Sequence, residues 1–287
     1  MGSESIGDIR AMSQAQHWAH FNKAWVGLKS YTYLGKGTPG LDIGVERETM
    51  PLRHDMRNRT GGIMAAPLCI AAPEPHWLDD ACVPAPVTMT YNVLDTAHGV
   101  KRIEVLREVI SIGRQMGFSR SRIVDADDHS RVIATSCGSG VSLGNVPPGF
   151  ELVDNPITEL ADSPDLPRLR DVFGVTAGDD GVLRIASVTP ATSSPHSALH
   201  LGPINIALES ACTDALAARF GETEFQVEAW TVMMVKPGYV GPFAATATVI
   251  GSGERVGIQA TMVDEGSGGR TMATVSATFR RLVAALG

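Results

Sequence analysis

The chain has 287 residues, and its 24 Lys+Arg against 31 Asp+Glu leave a formal net charge of -7. That balance repels a phosphate backbone and excludes general nucleic-acid binding, while local basic patches stay available to small anionic ligands. Hydrophobic residues make up 44% and charged residues 19%, with 30 Gly and 17 Pro, so the bulk is folded as one large domain or two rather than disordered.

The polar start Met1-Gly2-Ser3-Glu4-Ser5 lacks an apolar signal core, and no stretch reaches the ~18 apolar residues of a membrane span. A cytoplasmic chain without membrane attachment is therefore expected. Residues 15–33 read as a helix. A strand follows over 41–52, then a short helix from Gly61 that Pro67 and Pro73 should shorten or kink. Strands are expected over 87–94, 103–112, 118–124 and 132–141, and 146–181, rich in Pro, Asp and Gly, reads as the linker plus the lead-in to the second half. Beyond it come a short strand over 183–187 and a helix over 202–220 with Ile204, Leu208, Ala211 and Ala215 at helical spacing. Strand runs over 224–235, 243–251, 257–263 and 271–282 close the chain, separated by Gly-rich turns that suit consecutive antiparallel strands. Cys69, Cys82, Cys137 and Cys212 form no CxxC pair, so neither a zinc site nor a disulfide framework is expected.

The two halves repeat one order of elements. Val124, Asp125, Arg131, Ala134 and Thr135 match Val263, Asp264, Arg270, Ala273 and Thr274 at one offset of 139, and Thr60-Gly61-Gly62-Ile63 resembles His200-Leu201-Gly202-Pro203 at an offset of 140. One strand, one helix and four antiparallel strands, given twice, resemble the hotdog fold, in which a curved sheet wraps a mostly apolar helix. The resemblance implies an α+β double hotdog. Residues 1–150 would form an N-terminal repeat with an extra helix and a degenerate site, and 151–287 a linker and a C-terminal repeat carrying a catalytic carboxylate. It also implies that the two sheets join edge to edge, which would protect strand edges from unwanted pairing.

In the thioesterase branch of hotdog proteins, similar to 4-hydroxybenzoyl-CoA thioesterases, a His-Gly-Gly-like turn opens the central helix and a carboxylate follows seven residues after the second glycine. Here His200-Leu201-Gly202 precedes Glu209, with Thr213 one turn further on the same helix face; Leu201 and Pro203 depart from the pattern. A thioester carbonyl gains negative charge on oxygen under attack, and backbone amides at a helix start are donors for it. The resemblance implies that role for the amides of Leu201 and Gly202, nucleophile or general base for Glu209, water or carboxylate orientation for Thr213, and acyl or pantetheine contact for His200. The equivalent turn of the first half, Thr60-Gly61-Gly62, leads to Cys69 instead of a carboxylate, so one site is expected to be lost; Cys69 lacks a neighbouring base in the motif.

The first half is expected to supply a wall, with His54, Asp55, Asn58, Gly61 and Gly62 as substrate-binding candidates, and Arg120 and Arg122, alternating on one strand face, as partners for coenzyme A phosphates. The substrate expected is an acyl-CoA or acyl-carrier-protein thioester, with coenzyme A as part of the substrate and no metal or organic cofactor; self-association stays open. Two alternatives stand beside hydrolysis. One is a hotdog 3-hydroxyacyl-thioester dehydratase or enoyl-CoA hydratase using His196 and Glu209, and the other is a non-catalytic acyl-CoA-binding module.

Overall fold

A computed structural model describes residues 27–36, 47–73, 82–145, 159–194 and 197–282. The first half contains α1 (Lys29–Thr32), β1 (Arg47–Pro51), a 3-10 turn (His54–Met56), α2 (Ala65–Ala71), β2 (Cys82–Val93), β3 (Arg102–Ile112), β4 (Met116–Asp125) and β5 (Val132–Asn145). The second contains α3 (Leu169–Val172), β6 (Val175–Ala177), β7 (Leu183–Ile185), α4 (Leu201–Phe220), β8 (Glu224–Met234), β9 (Phe243–Ile250), β10 (Arg255–Asp264), a 3-10 turn (Glu265–Ser267) and β11 (Arg270–Leu282).

One expectation changes, and another lies largely outside the described residues. Of the helix expected over 15–33, only α1 falls within the described residues. The segment read as linker supplies α3 and β6, because its few apolar residues, Leu169, Phe173 and Val175, bury against the sheet edge and pin it there. As expected, α2 is short. It stops at Ala71, ahead of Pro73, whose ring and missing N–H cannot continue a helix.

Among the described residues the strands join one sheet in the order β1-β3-β4-β5-β2-β8-β11-β10-β9-β7-β6. From the seam, where Tyr91 lies opposite Trp230 and Thr90 opposite Thr231, both sides unfold in the same sequence. The β4–β5 hairpin breaks register between Ile123 and Val124, and the β10–β11 hairpin between Met262 and Val263, 139 positions on in each case. Since a one-residue slip turns every later side chain to the other face, matching bulges keep the two hairpins' inward and outward patterns aligned.

The helix starts follow a different offset. Arg57 bridges Ile63 as Ser193 bridges Leu199, Gly61 and Ser197 both have positive φ, and the N-caps are Met64 and His200. All of these pairs lie 136 positions apart. The counterpart of Gly61-Gly62 is thus Ser197-Ala198 rather than Leu201-Gly202, and that of Cys69 is Asn205 rather than Glu209. A turn motif of small residues carries too little side-chain information to hold its register against the extra residues that the second half places between helix start and strand.

Both α2 and α4 pack against the sheet, α4 on β9, β10 and β7 and α2 on β1 and β2, and the two helices touch each other. Almost every side of α4 is buried from Leu201 to Cys212, as befits a helix that is apolar all round. Two of its buried polar side chains donate back to their own helix, Asn205 Nδ2 to Leu201 O and Ser210 Oγ to Ile206 O, and Asn205 Oδ1 accepts from Trp230 Nε1.

Candidate active site

Glu209 lies on the buried part of α4, 3% exposed, and its carboxylate crosses to the other half. Oε1 accepts from the Ala65 amide and Oε2 from the Ala66 amide, each at 2.7 Å. These are the first two amides of α2, which lack intrahelical partners, and the N-cap Met64 offers no side-chain acceptor. The carboxylate thus caps a helix it does not belong to, at the positive end of its dipole. Burial outweighs the two amides and pushes the Glu209 carboxyl up from 4.5 to about 7. Two buried thiols flank it, and burial, followed by the charge of Glu209, pushes both Cys69 and Cys212 up, so Cys69 is not poised as a nucleophile.

The turn before α2 is held from several sides. Gly61 has φ 81°, and the Arg57 guanidinium donates to the carbonyls of Gly61, Ala97 and Val100. Asn58 Oδ1 accepts from the Thr60 and Gly62 amides, and its Nδ2 donates at 2.8 Å to Gln226 Oε1. Gln226, on β8 of the second half, donates from Nε2 to Ile63 O at 2.9 Å. It lies so close to Gly62 that an added Cβ would fall 1.9 Å from its Oε1, so a side chain there would push the Gln226 amide from its place. Asn58, Gly61 and Gly62 therefore lie together in the turn that leads into α2, where the observed bonds of Asn58 and the Gly61 carbonyl hold that turn. Gln226 and the Ala65 and Ala66 amides were missed: the amides belong to the backbone and leave no mark on residue type.

The start of α4 behaves differently from expectation. Gly202 N–H donates to Nδ1 of His200 at 3.2 Å, and Ser30 Oγ of α1 lies 3.0 Å from the same nitrogen. A Cβ on Gly202 would sit 2.1 Å from that hydroxyl. The Leu201 and Gly202 amides do not face Glu209, because seven residues of helix separate Gly202 from it by about 10 Å along the axis. His200 is buried, edge-on to Tyr31, and burial lowers its pKa from 6.5 to about 3. It acts as a neutral cap.

The Thr213 hydroxyl donates to Glu209 O at 3.0 Å, back along its own helix, and does not touch the carboxylate. His54 is exposed and gives its backbone amide to Asp162. Asp55 is buried in a two-pronged pair with Arg53, which also donates to Leu34 O, so its carboxylate serves that fold contact. Arg120 and Arg122 point outward, Arg120 gripping Glu108 at 2.7 and 2.9 Å, and both line a cleft of about 540 Å³ with Leu106 and Thr135. His196 lies outside the described residues. Among the described residues no group of three His, Cys, Asp or Glu is placed to hold a metal ion, and no helix is long and apolar enough to cross a membrane.

Comparison with known proteins places the fold. No family model and no curated protein sequence matches the chain. Among solved structures, the chain is similar to the tesB protein of Mycobacterium avium subspecies paratuberculosis, at 12% identity over 90% of this chain and 100% of that one, with a TM-score of 0.58. An acyl-CoA thioesterase II, TesB2, from Mycobacterium marinum gives 12% identity, 89% and 99% coverage and a TM-score of 0.59. A conserved protein of unknown function with a hot dog fold, from Alicyclobacillus acidocaldarius, gives 11%, 89% and 98%, and 0.51.

Proposed function

We propose that this hotdog-fold protein is a thioester hydrolase acting on acyl-CoA or acyl-carrier-protein thioesters. It is built from two tandem repeats, residues 1–150 and 151–287, with one working site where Glu209 meets α2. A single observation carries this: a buried carboxyl of one half, pushed up to about 7, faces the first amides of the other half's helix at 2.7 Å. Matching hairpin bulges and helix starts support the tandem repeat, and the likeness to structures described as thioesterases supports the reaction.

Hydrolysis adds water oxygen to the carbonyl carbon, collects negative charge on the carbonyl oxygen, and breaks the C–S bond, the departing thiolate taking up a proton. A carboxylate whose pKa lies near neutral suits a base that removes a proton from water. The same group, ionised, suits direct attack through an anhydride. Each carboxylate oxygen keeps lone pairs beyond the one given to an amide, so water can be held without losing the cap. A substrate carbonyl that takes over one of the two α2 amides meets a preorganised donor at the positive end of a helix. This scheme needs no metal or organic cofactor, coenzyme A entering as part of the substrate.

The test is free-thiol release from a panel of acyl-CoAs by wild type and by Glu209→Gln, with melting curves recorded for both. Loss of about 10³-fold in kcat/KM is expected for the variant. Release that survives the substitution unchanged refutes Glu209 as the reacting group. A second reading has one observation in its favour, since both carboxylate oxygens are already engaged as a cap: a module that binds acyl-CoA without turning it over. Tight binding with no thiol release would select it.

A further inference from the structure

The inner face of the first half carries buried polar groups that thioester cleavage does not use. Across three strands Arg107 lies opposite Ser121, and Ser121 opposite Ser136; Ser136 in turn faces Tyr91. Ser119 sits two residues before Ser121 on the same inward face. Ser119 and Ser136 are 2% and 5% exposed, and neither hydroxyl finds a hydrogen-bond partner. Beside them Glu48 holds both Lys36, at 2.8 Å, and Arg107, at 3.1 Å, through side chains that are nearly covered in all three.

The second half has the same rows with different chemistry. Its register pairs Ala247 with Ala260 and Ala260 with Val275, and the counterpart of Ser119 is Ile258. All four belong to the apolar core or pack against it, and α4 packs on the strands β9 and β10 that carry three of them. In the first half, α2 ends at Ala71, and the carbonyls just beyond it take Tyr91 Oη, at Ala72, and Arg107 Nη1, at Pro73. The polar row therefore lies under the far end of α2, about 9 Å along its axis from the amides that hold Glu209. An inner sheet face ordinarily gains from Val or Ile, and a buried hydroxyl without a partner is destabilising, so serines at neighbouring inner positions call for a ligand that supplies the missing bonds.

We infer that the inner face around Ser119 and Ser136 receives the far part of the acyl group, and that this acyl group carries a hydroxyl or carbonyl oxygen there. The substrate class is an oxygenated acyl thioester rather than a plain alkanoyl one. The inference rests on the hydrolase reading only for where the thioester end sits, so binding is measured apart from turnover.

The experiment titrates the full-length wild type calorimetrically with uncleavable S-alkyl thioethers of coenzyme A, comparing octyl-CoA with hydroxyoctyl-CoA isomers bearing the hydroxyl at successive chain positions. At least one isomer is expected to bind about tenfold more tightly than octyl-CoA. In the Ser119→Ala/Ser136→Ala variant that preference should shrink to about twofold while octyl-CoA binding is kept or improved; single Ser136→Ala carries the same comparison should the double variant fail to fold. Equal binding of all isomers and octyl-CoA, a preference that survives loss of both hydroxyls, or no binding of any probe overturns the inference. Preferential binding without thiol release from the matching thioester would leave it standing and sink the hydrolase reading. Release from plain acyl-CoA without preference would do the reverse.

Discussion

The two helices packed on the sheet, α2 and α4, begin against different groups. The first amides of α2 are held by Glu209 from the opposite half, whereas the Gly202 amide of α4 is held by the imidazole of its own cap, His200, with Ser30 filling the space beside it. Both partners are buried, yet burial moves them in opposite senses, the carboxyl up to about 7 and the imidazole down to about 3. One helix start is thus left with a group that changes charge near neutral pH, and the other is sealed by a group that stays uncharged. The inner faces differ in parallel: serines and an ion-paired arginine under short α2, aliphatic residues under long α4. The order of elements recurs on the two sides of the seam, while the groups that meet the two helix starts differ.

Their opposed titrations give the largest test of that contrast. His200 binds fewer protons folded than unfolded, so its contribution raises stability as pH climbs from about 3 to about 6.5, by ~5 kcal/mol in all. Glu209 binds more protons folded than unfolded, so its contribution lowers stability as pH climbs from 4.5 to about 7, by ~3 kcal/mol. Denaturant unfolding across this range should show His200→Asn losing the rising limb and Glu209→Gln losing the falling one. Variants that both track the wild-type profile would erase the distinction between the two helix starts.

Exchanging inner-face residues comes next in size. Val275→Ser places the first half's chemistry under α4, creating a void and a buried hydroxyl, and should cost about 2–3 kcal/mol by urea midpoint. The reverse exchange, Ser136→Val, removes an unpartnered hydroxyl and should change stability by no more than about 1 kcal/mol in either direction. Equal losses from both exchanges would mean that the two faces are alike after all.

The smallest expected effect concerns the seal on α4. Gly202→Ala drives a methyl into Ser30 and should destabilise by about 1–2 kcal/mol, of which Ser30→Gly in the same chain should restore at least half. Strictly additive losses in that double variant would show that the two residues do not meet.

Much of the fold was legible because strand alternation, Gly-rich turns and the Val-Asp hairpin motif each carry a local physical signal. The match of Val124 and Asp125 with Val263 and Asp264 fell at the two bulges, where a change of register constrains residue type. The second anchor slid by several positions, since Gly61 and Ser197 share a positive φ that their identities do not reveal. Glu209 stood out as a carboxylate amid Leu208, Ala211 and Cys212, but its partners did not: Ala65 and Ala66 act through backbone amides, and Gln226 looks like any other polar strand residue.

What the amino-acid order determined by itself was the alternation of strands and helices, the doubling of that pattern, and the presence of one acid on an otherwise apolar helix, because each follows from residue type at short range. Which helix that acid would cap was decided only when the two halves joined along β2 and β8. Its own helix start lies too far along a rigid axis, and the seam between β2 and β8 brings another chain segment's unsatisfied amides within hydrogen-bonding distance.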